Sequence, residues 1–224
     1  MTPRELIGTA PITGGEGELR LFRRGEDYMI VLDRNELMSS RMSGSEEALA
    51  EMTIERLGAR PAPRLLIGGY GMGFTLRAAL AALPGDAKVT VAELVPEIID
   101  WARGPMAAMT GACLDDKRLF LDIADVGVLI GEAEAYYDAI LLDVDNGPDG
   151  LTRKTNNGLY SRKGLAAAKA ALKPSGILAI WSAAPDEKFK KSLSDAGFAV
   201  DEVAVRARQN GKGAKHLIWF ATKR

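Results

Sequence analysis

The sequence predicts an α/β protein whose mostly parallel sheet is closed by a C-terminal antiparallel hairpin. From residue 64 onward, short apolar runs alternate with helical patterns, and this alternation is typical of parallel strands joined by crossover helices. The strand candidates are apolar along their length, as expected of strands buried on both faces. The last two strand-like segments are separated only by a polar, glycine-rich loop. No helix fits in that loop, so these two strands must pair antiparallel.

A smaller β-rich segment precedes that sheet. Residues 18–23 and 27–32 are strand-like and are joined by a turn that contains Gly25, which predicts a β-hairpin. A further short strand is expected at residues 36–39.

A helix follows the hairpin. Ser43 and Glu46 form a capping-box pattern at its start, and Gly58 marks its end. We therefore divide the chain into an extension at residues 1–57 and a larger α/β domain at residues 58–224. Because the extension is too small for a stable core of its own, we expect it to cover the site or to pair with a second subunit.

The larger domain contains five runs that predict parallel strands: residues 65–67, 89–92, 119–121, 139–142 and 177–181. The helical patterns between and after them cover residues 75–83, 96–103, 164–172 and 187–196. The closing hairpin consists of residues 198–205 and 216–221. This layout resembles the class I methyltransferase fold, and a likeness of fold leaves the function open.

Charge and hydropathy exclude several classes of protein. The 224 residues carry 29 Lys and Arg against 30 Asp and Glu, a net charge of −1, which gives no reason to expect nucleic acid or an anionic membrane as a partner. No apolar run approaches the length of about 18 residues that spans a bilayer, and residues 1–15 contain no signal-peptide pattern. We therefore expect a cytoplasmic protein. The basic residues at 206–224 keep a nucleic-acid contact as an alternative.

The chain has one cysteine and one histidine. These counts exclude an intrachain disulfide, a metal site built on thiolates or imidazoles, and a Ser–His or Cys–His catalytic group. We predict no metal site and interpret His216 as structural, because it lies far from any acidic cluster in the sequence. If the protein is an enzyme, carboxylates, hydroxyls and the backbone must carry the chemistry.

A glycine-rich loop follows the first parallel strand. Its residues are Gly68, Gly69, Tyr70, Gly71, Met72 and Gly73. Glycines between a strand and a helix let a ligand approach the backbone and the helix N-terminus closely. The G-x-G-x-x-G fingerprint of dinucleotide-binding proteins is not met, because Phe74 stands at the third glycine. The G-x-G-x-G form that is present favours S-adenosylmethionine or a relative over NAD.

Two further strand ends extend this predicted site. Glu93 ends the second parallel strand, where an acid accepts hydrogen bonds from ribose hydroxyls, and Leu94 follows it directly. Asp122 and Ile123 end the third strand, where an acid holds the adenine amine and an apolar side chain packs on the ring. The glycine loop and these residues together predict an adenosyl ligand.

The fourth strand ends in a second group of polar residues. Asp143, partly screened from water, is placed to accept a proton from an attacking amine or to hold an ammonium group. The alternative role for Asp143 is to cap the turn or helix that follows. Asp145 and Asn146 are candidates for substrate binding, although Asp-Asn-Gly-Pro is also ordinary turn chemistry.

From about Glu18 to Ala221 the sequence resembles the spermidine/spermine synthases, aminopropyltransferases on the methyltransferase fold. The residues that carry the likeness are Leu66-Ile67-Gly68-Gly69, Glu93, Asp122, Leu142-Asp143, Gly147-Pro148, Leu151, Leu159-Tyr160 and Leu172-Lys173-Pro174-Ser175-Gly176. The resemblance implies decarboxylated S-adenosylmethionine as the adenosyl ligand and a homodimer as the assembly. It also implies that Asp143 deprotonates the attacking amine and that Tyr160 lies in the substrate pocket. The Tyr-His-Glu segment of the family corresponds to residues 45–47, which makes Glu47 a substrate-binding candidate.

One difference from the family decides between two reactions. The family's glycine loop contains an aspartate that binds the aminopropyl amine, and Gly71 or Met72 stands in that region here. We therefore favour methyl transfer from S-adenosylmethionine to an amine or another small nucleophile. Aminopropyl transfer from decarboxylated S-adenosylmethionine is the alternative. A nucleic-acid-modifying methyltransferase and a non-catalytic adenosyl-binding module stay open as well.

Overall fold

The computed structural model describes residues 3–12, 17–144 and 157–224. Within these residues, a small antiparallel sheet comes first along the chain. Its strands, in spatial and sequence order, are β1 (Glu5–Pro11), β2 (Glu18–Arg24), β3 (Asp27–Leu32) and β4 (Asn35–Ser39). The predicted hairpin is β2–β3. The sequence analysis did not predict β1, whose single buried residue, Ala10, gives only a weak apolar pattern.

The larger sheet is mostly parallel and ends in an antiparallel hairpin, as the sequence predicts. Its strands are β5 (Arg64–Gly68), β6 (Lys88–Glu93), β7 (Leu119–Ile123), β8 (Tyr137–Leu142), β9 (Leu172–Ser182), β10 (Phe198–Arg206) and β11 (Lys215–Lys223). Their spatial order is β10-β11-β9-β8-β5-β6-β7. The pairs among β5 to β9 are parallel, and β11 is antiparallel to both β9 and β10.

Helices connect the strands. They are α1 (Gly44–Leu57), α2 (Phe74–Ala82), α3 (Pro96–Arg103), α4 (Ala107–Thr110), α5 (Val126–Glu132), α6 (Asn157–Tyr160), α7 (Arg162–Ala171) and α8 (Glu187–Asp195), with a short 3₁₀ helix at Gly111–Asp115. The sequence analysis missed α5, which contains two glycines and so has low helix propensity. Its N-terminus is fixed by Asp125, whose side chain accepts the Gly127 N–H at 2.8 Å.

The strand order brings two loops together. The chain runs from β5 outward to β6 and β7, and then returns to place β8 on the other side of β5. At such a reversal, the loops that leave the two neighbouring strands diverge and form a ligand crevice at the carboxyl edge of the sheet. Gly68 and Leu142 are paired at this edge. The glycine loop after β5 therefore lies beside Asp143, which follows β8.

At the opposite edge of the sheet, a buried carboxylate connects three strands. Asp138 in β8 accepts hydrogen bonds from Arg60 Nη1 at 3.0 Å, the backbone N–H of Arg64 at 2.8 Å and Lys173 Nζ at 2.6 Å. Burial alone would raise the pKa of Asp138, but these donors, Lys173 foremost, lower it below its ordinary value. The carboxylate thus stays charged and joins the starts of β5, β8 and β9.

We predict that Asp138→Asn destabilises the fold by about 2 kcal/mol, because two cations and a backbone N–H lose a charged acceptor that is 5 % exposed. Urea unfolding of the variant measures this loss. Asp201→Asn is the matched control: Asp201 pairs with Arg56 but is 60 % exposed, so its loss should change stability by less than about 0.5 kcal/mol. Equal effects of the two substitutions would contradict the structural role of Asp138.

Candidate active site

A cavity of about 330 Å³ lies at the carboxyl edge of the larger sheet. Its floor is formed by the loops after β5, β6, β7 and β8, and the small sheet forms one wall. The residues of that wall are Ile12, Leu19, Ile30, Glu36, Leu37, Met38 and Ser39. The extension therefore contributes directly to the candidate site.

The glycine loop presents its backbone to this cavity at Gly69 and Gly71. A Cβ atom on Gly69 would lie 2.7 Å from the backbone oxygen of Asp143, and Gly69 has a φ of +85°. A Cβ atom on Gly71, with a φ of +55°, would lie 2.8 Å from Met38 Sδ. Only glycine meets both requirements without strain, so the loop is shaped for close approach of backbone to neighbouring groups.

The side chains of the loop are directed elsewhere. Tyr70 and Met72 are buried in the core, and neither lines the cavity, nor do Gly68 and Gly73. The Tyr70 hydroxyl lies 3.6 Å from Cys113 Sγ, and burial raises the pKa of Tyr70. The structure thus brings only Gly69 and Gly71 of the six predicted loop residues to the cavity.

Glu93 lines the cavity at the end of β6, together with Leu94. Its carboxylate accepts the Tyr70 N–H at 2.9 Å, the Leu94 N–H at 2.7 Å and the Val95 N–H at 2.9 Å. Burial raises the pKa of Glu93, and these backbone donors oppose the rise. A fourth backbone hydrogen bond, from Gly71, also opposes this rise, so the Glu93 carboxylate holds the glycine loop in place through its backbone donors.

At the end of the third parallel strand, β7, the residues that line the cavity are not the ones that the sequence predicts. Asp122 and Ile123 belong to β7, are exposed and do not line the cavity. Asp125 and Val126, at the start of α5, line it instead. The sequence signal for this shift is the Asp125-Val126-Gly127 segment, a helix start that follows the strand by two residues. The acid that lines the cavity at this end of the sheet is therefore Asp125.

Asp143 lies in the cavity, where the sequence analysis expects it. Thr75 in α2 donates a hydrogen bond from Oγ1 to Asp143 Oδ2 at 3.0 Å. Burial raises the pKa of Asp143 to about 6, although the Thr75 hydrogen bond opposes that rise. The backbone N–H of Asp143 donates to the Gly68 carbonyl at 3.2 Å, which fixes the residue against β5.

Glu46 is a second buried acid in the same cavity. Burial raises its pKa to about 8, the negative charge of Asp143 adds to the rise, and a hydrogen bond from Ser45 opposes it. The capping-box pattern assigned Glu46 to the helix start, but Ser43 makes no side-chain capping bond. The neighbouring Glu47, predicted to bind substrate, does not line the cavity; it accepts a hydrogen bond from Gln209 Nε2 at 2.6 Å.

His216 also lines the cavity, although no acidic cluster lies near it in the sequence. Its Nδ1 lies 2.9 Å from Ser45 Oγ, and the Ser45 hydroxyl donates to Glu46 Oε2 at 2.6 Å. The ring stacks edge-on against Trp181, with 4.7 Å between centroids. Burial lowers the pKa of His216. The sequence could not show this contact, because 171 positions separate Ser45 from His216.

The remaining candidates lie elsewhere. Tyr160 is buried against Phe189, with 5.4 Å between ring centroids, and does not line the cavity. Asp145 and Asn146 lie outside the described residues. In the described part of the chain, no group of three or more His, Cys, Asp and Glu side chains is arranged to hold a metal ion. No helix in the same ranges is both long enough and apolar enough to cross a membrane.

Comparisons with known proteins agree on one family. The sequence model described as "Spermine/spermidine synthase domain" matches residues 44–204. A polyamine aminopropyltransferase of Mycobacterium tuberculosis is 28% identical over 82% of this chain and 35% of its own length. The chain thus spans about a third of the length of the curated relatives it matches.

Solved structures agree with the fold. The spermidine synthase of Thermotoga maritima superposes with a TM-score of 0.77 at 21% identity, over 98% of this chain and 73% of that chain. A spermidine synthase solved in complex with the transition state analogue AdoDATO gives a TM-score of 0.75 at 20% identity, with the same two coverages. Because each superposition covers 98% of this chain, the similarity includes the small sheet as well as the larger one.

We predict that the buried Glu46 makes the protein less stable as the pH rises from about 5 to about 8.5. The folded Glu46 keeps its proton up to about pH 8, whereas the unfolded chain releases it near its ordinary pKa, so the folded state binds more protons in this window. The fall in melting temperature should be markedly smaller in Glu46→Gln.

Thermal melts across this pH range check the prediction, with Glu47→Gln as the matched control one residue away. The control should follow the wild type. Parallel curves for Glu46→Gln and the wild type would show that Glu46 releases its proton at its ordinary pKa in the folded protein.

Proposed function

Because the chain belongs to the spermine/spermidine synthase family, whose sequence model matches residues 44–204, we propose that it transfers the aminopropyl group of decarboxylated S-adenosylmethionine to an amine. The observation that supports this most is the pair of acids, the buried Glu46 and the half-buried Asp143, in one cavity beside the glycine loop. The sequence analysis favoured methyl transfer instead. The comparisons do not support that choice, since the matched relatives are named polyamine aminopropyltransferases.

The cavity fits an adenosyl group. Its volume of about 330 Å³ is in the range of small-molecule sites. Gly69 and Gly71 offer backbone without side chains, Glu93 lines the cavity at the end of β6 beside the glycine loop, and the Asp125 carboxylate would accept a hydrogen bond from an adenine amine. These residues would hold the adenosyl part, and the bound molecule would supply an electrophilic carbon attached to a sulfonium.

The charge of the cavity favours cations. Five acids line it, and no lysine or arginine does so in the described part of the chain. The acids are Glu36, Glu46, Glu93, Asp125 and Asp143. A sulfonium and an ammonium are stable in a buried site only when carboxylates pair with them. The glycine loop lacks the acid that the family uses, but Glu46 brings an acid to the same cavity from α1.

The proposed reaction is a displacement at carbon. The neutral amine attacks the methylene carbon bonded to sulfur, the C–N bond forms, and the C–S electron pair returns to sulfur to give a neutral thioether. The positive charge moves to the new ammonium group. Before attack, the incoming ammonium must lose one proton, and Asp143 is the acceptor because it is ionised at neutral pH and lines the cavity. Positioning of the two substrates supplies much of the remaining acceleration.

We predict that decarboxylated S-adenosylmethionine binds at least about tenfold more tightly than S-adenosylmethionine, a difference of about 1.4 kcal/mol. The additional carboxylate of S-adenosylmethionine would enter a cavity lined with acids and without a described lysine or arginine. Isothermal titration with both ligands measures the ratio. Equal affinity, or tighter binding of S-adenosylmethionine, would contradict aminopropyl transfer and restore methyl transfer as the better proposal.

We predict that Asp143→Asn lowers kcat about 100-fold or more and changes the affinity for decarboxylated S-adenosylmethionine much less. The amide keeps the shape and the Thr75 contact but cannot accept a proton. Product formation with an amine pool, followed by mass spectrometry, gives the rate. Asp201→Asn, on the exposed face of β10, is the control and should behave as the wild type. An unchanged kcat in Asp143→Asn would remove Asp143 from the chemistry.

A further inference from the structure

A hydrogen-bonded chain connects the buried Glu46 to His216 in the lining of the cavity. It runs from Glu46 Oε2 to Ser45 Oγ over 2.6 Å, and from Ser45 Oγ to His216 Nδ1 over 2.9 Å. Ser45 is fully buried, whereas His216 is only half-buried. All three residues belong to elements outside the glycine loop and the fourth strand, so the reaction described above does not use Ser45 or His216.

The hydrogen bonds of this Glu46–Ser45–His216 chain can form whether Glu46 is ionised or protonated, because a serine hydroxyl donates one hydrogen bond and can also accept one. When Glu46 is ionised, Ser45 donates to it and must accept the Nδ1–H of His216. When Glu46 is protonated, its O–H can donate to Ser45, which then donates to a bare Nδ1. The proton on His216 then resides on Nε2. Each state of the carboxyl therefore selects one tautomer of the ring.

The ring itself is held in place independently of its protons. Trp181 packs edge-on against His216, and the register of β11 places Leu217 opposite Ser182 of β9. The acid is held as well. Glu46 lies in α1, and the Gly44 N–H at the start of this helix donates to the Ala207 carbonyl, in the loop between β10 and β11, at 3.0 Å. Glu46 and His216, the two ends of the hydrogen-bonded chain, are thus fixed, and Ser45 bridges them.

We propose that Ser45 and His216 are positioning residues, which hold the Glu46 carboxyl in the acceptor-amine site in both of its protonation states. This inference rests on the proposed function only in naming the amine as the group that Glu46 contacts. Glu46 would accept a hydrogen bond from the amine, and Asp143 would contact the amine from the other side. When Glu46 gains or loses a proton, the Ser45 hydroxyl would reverse the direction of its two hydrogen bonds, and the Glu46 carboxyl would stay in place.

A ¹⁵N-histidine NMR titration of the protein without substrate tests the chain directly, since His216 is the only histidine of the sequence. Above the pH at which the imidazole itself loses its charge, Nδ1 should change from bare to protonated as Glu46 ionises. The change should disappear in Glu46→Gln and in Ser45→Ala. The other titratable groups that line the cavity are Asp143, Glu36, Glu93 and Asp125, and Glu46→Gln leaves all four in place.

Steady-state kinetics test the positioning. His216→Phe keeps a ring against Trp181 but loses the nitrogen, whereas the amide of His216→Asn can donate or accept in place of Nδ1. We expect KM for the acceptor amine to rise about tenfold in His216→Phe and in Ser45→Ala, and much less in His216→Asn. The affinity for decarboxylated S-adenosylmethionine should be unchanged. The double variant should be no worse than Ser45→Ala alone, because both residues act through one chain.

The inference is overturned if Nδ1 keeps one protonation state across the titration, or if its change persists in Glu46→Gln. It is also overturned if His216→Phe keeps the KM of the wild type while His216→Asn is impaired, which would indicate a role in packing only. Failure of the proposed function has a different signature: the wild type would form no product from any amine, while the NMR titration would still decide whether the chain exists.

Discussion

The enclosure of two carboxyl groups in one cavity is the constraint on which the rest of the site depends. Glu46, which is buried, and Asp143, which is half-buried, line the same cavity, and neither has an arginine or lysine partner among the described residues that line it. Burial and mutual repulsion therefore raise the pKa of Glu46, and burial raises that of Asp143. Such a pair is costly to the fold unless a cation binds between the groups.

Each acid is held by a hydroxyl from a neighbouring residue. Thr75 Oγ1 donates to Asp143 at 3.0 Å and lies 3.3 Å from the Glu46 carbonyl oxygen, while Ser45 donates to the Glu46 carboxyl. The side chains of Ser45 and Thr75 are short and fully or almost fully buried, so their hydroxyl groups orient the two carboxyl groups without adding charge. The arrangement keeps the site negative, and the glycine loop, which is shaped by Glu93 and by the close approach of Asp143, supplies the wall beside it.

The sequence predicted the parts of the fold that depend on local signals. The buried strands are apolar throughout, and the short polar link between β10 and β11 forces them to pair. The glycine loop, Glu93 and Asp143 could be placed because the ends of parallel strands share one edge of the sheet. α5 was missed because two glycines weaken its helical pattern.

The unpredicted part of the site comes from contacts between distant segments. Glu46 carries a capping-box signal, and only the packing of α1 on the larger sheet turns its carboxyl into the cavity. His216 lies in an ordinary strand pattern, and its partner, Ser45, is 171 positions away. Asp125 was missed because the acid was expected at the end of the strand, at Asp122, whereas the acid that lines the cavity lies beyond the strand, at the N-cap of α5.

The central claim is that Glu46 and Asp143 together hold the attacking amine. A crystal structure of the protein with methylthioadenosine, the thioether left by aminopropyl transfer, and an acceptor amine tests it most directly. We expect the amine nitrogen to lie within hydrogen-bond distance of both carboxyl groups, with the hydrogen bonds from Glu46 to Ser45 and from Ser45 to His216 intact. An amine nitrogen that contacts neither carboxyl, or a Glu46 side chain turned away from the cavity, would contradict it.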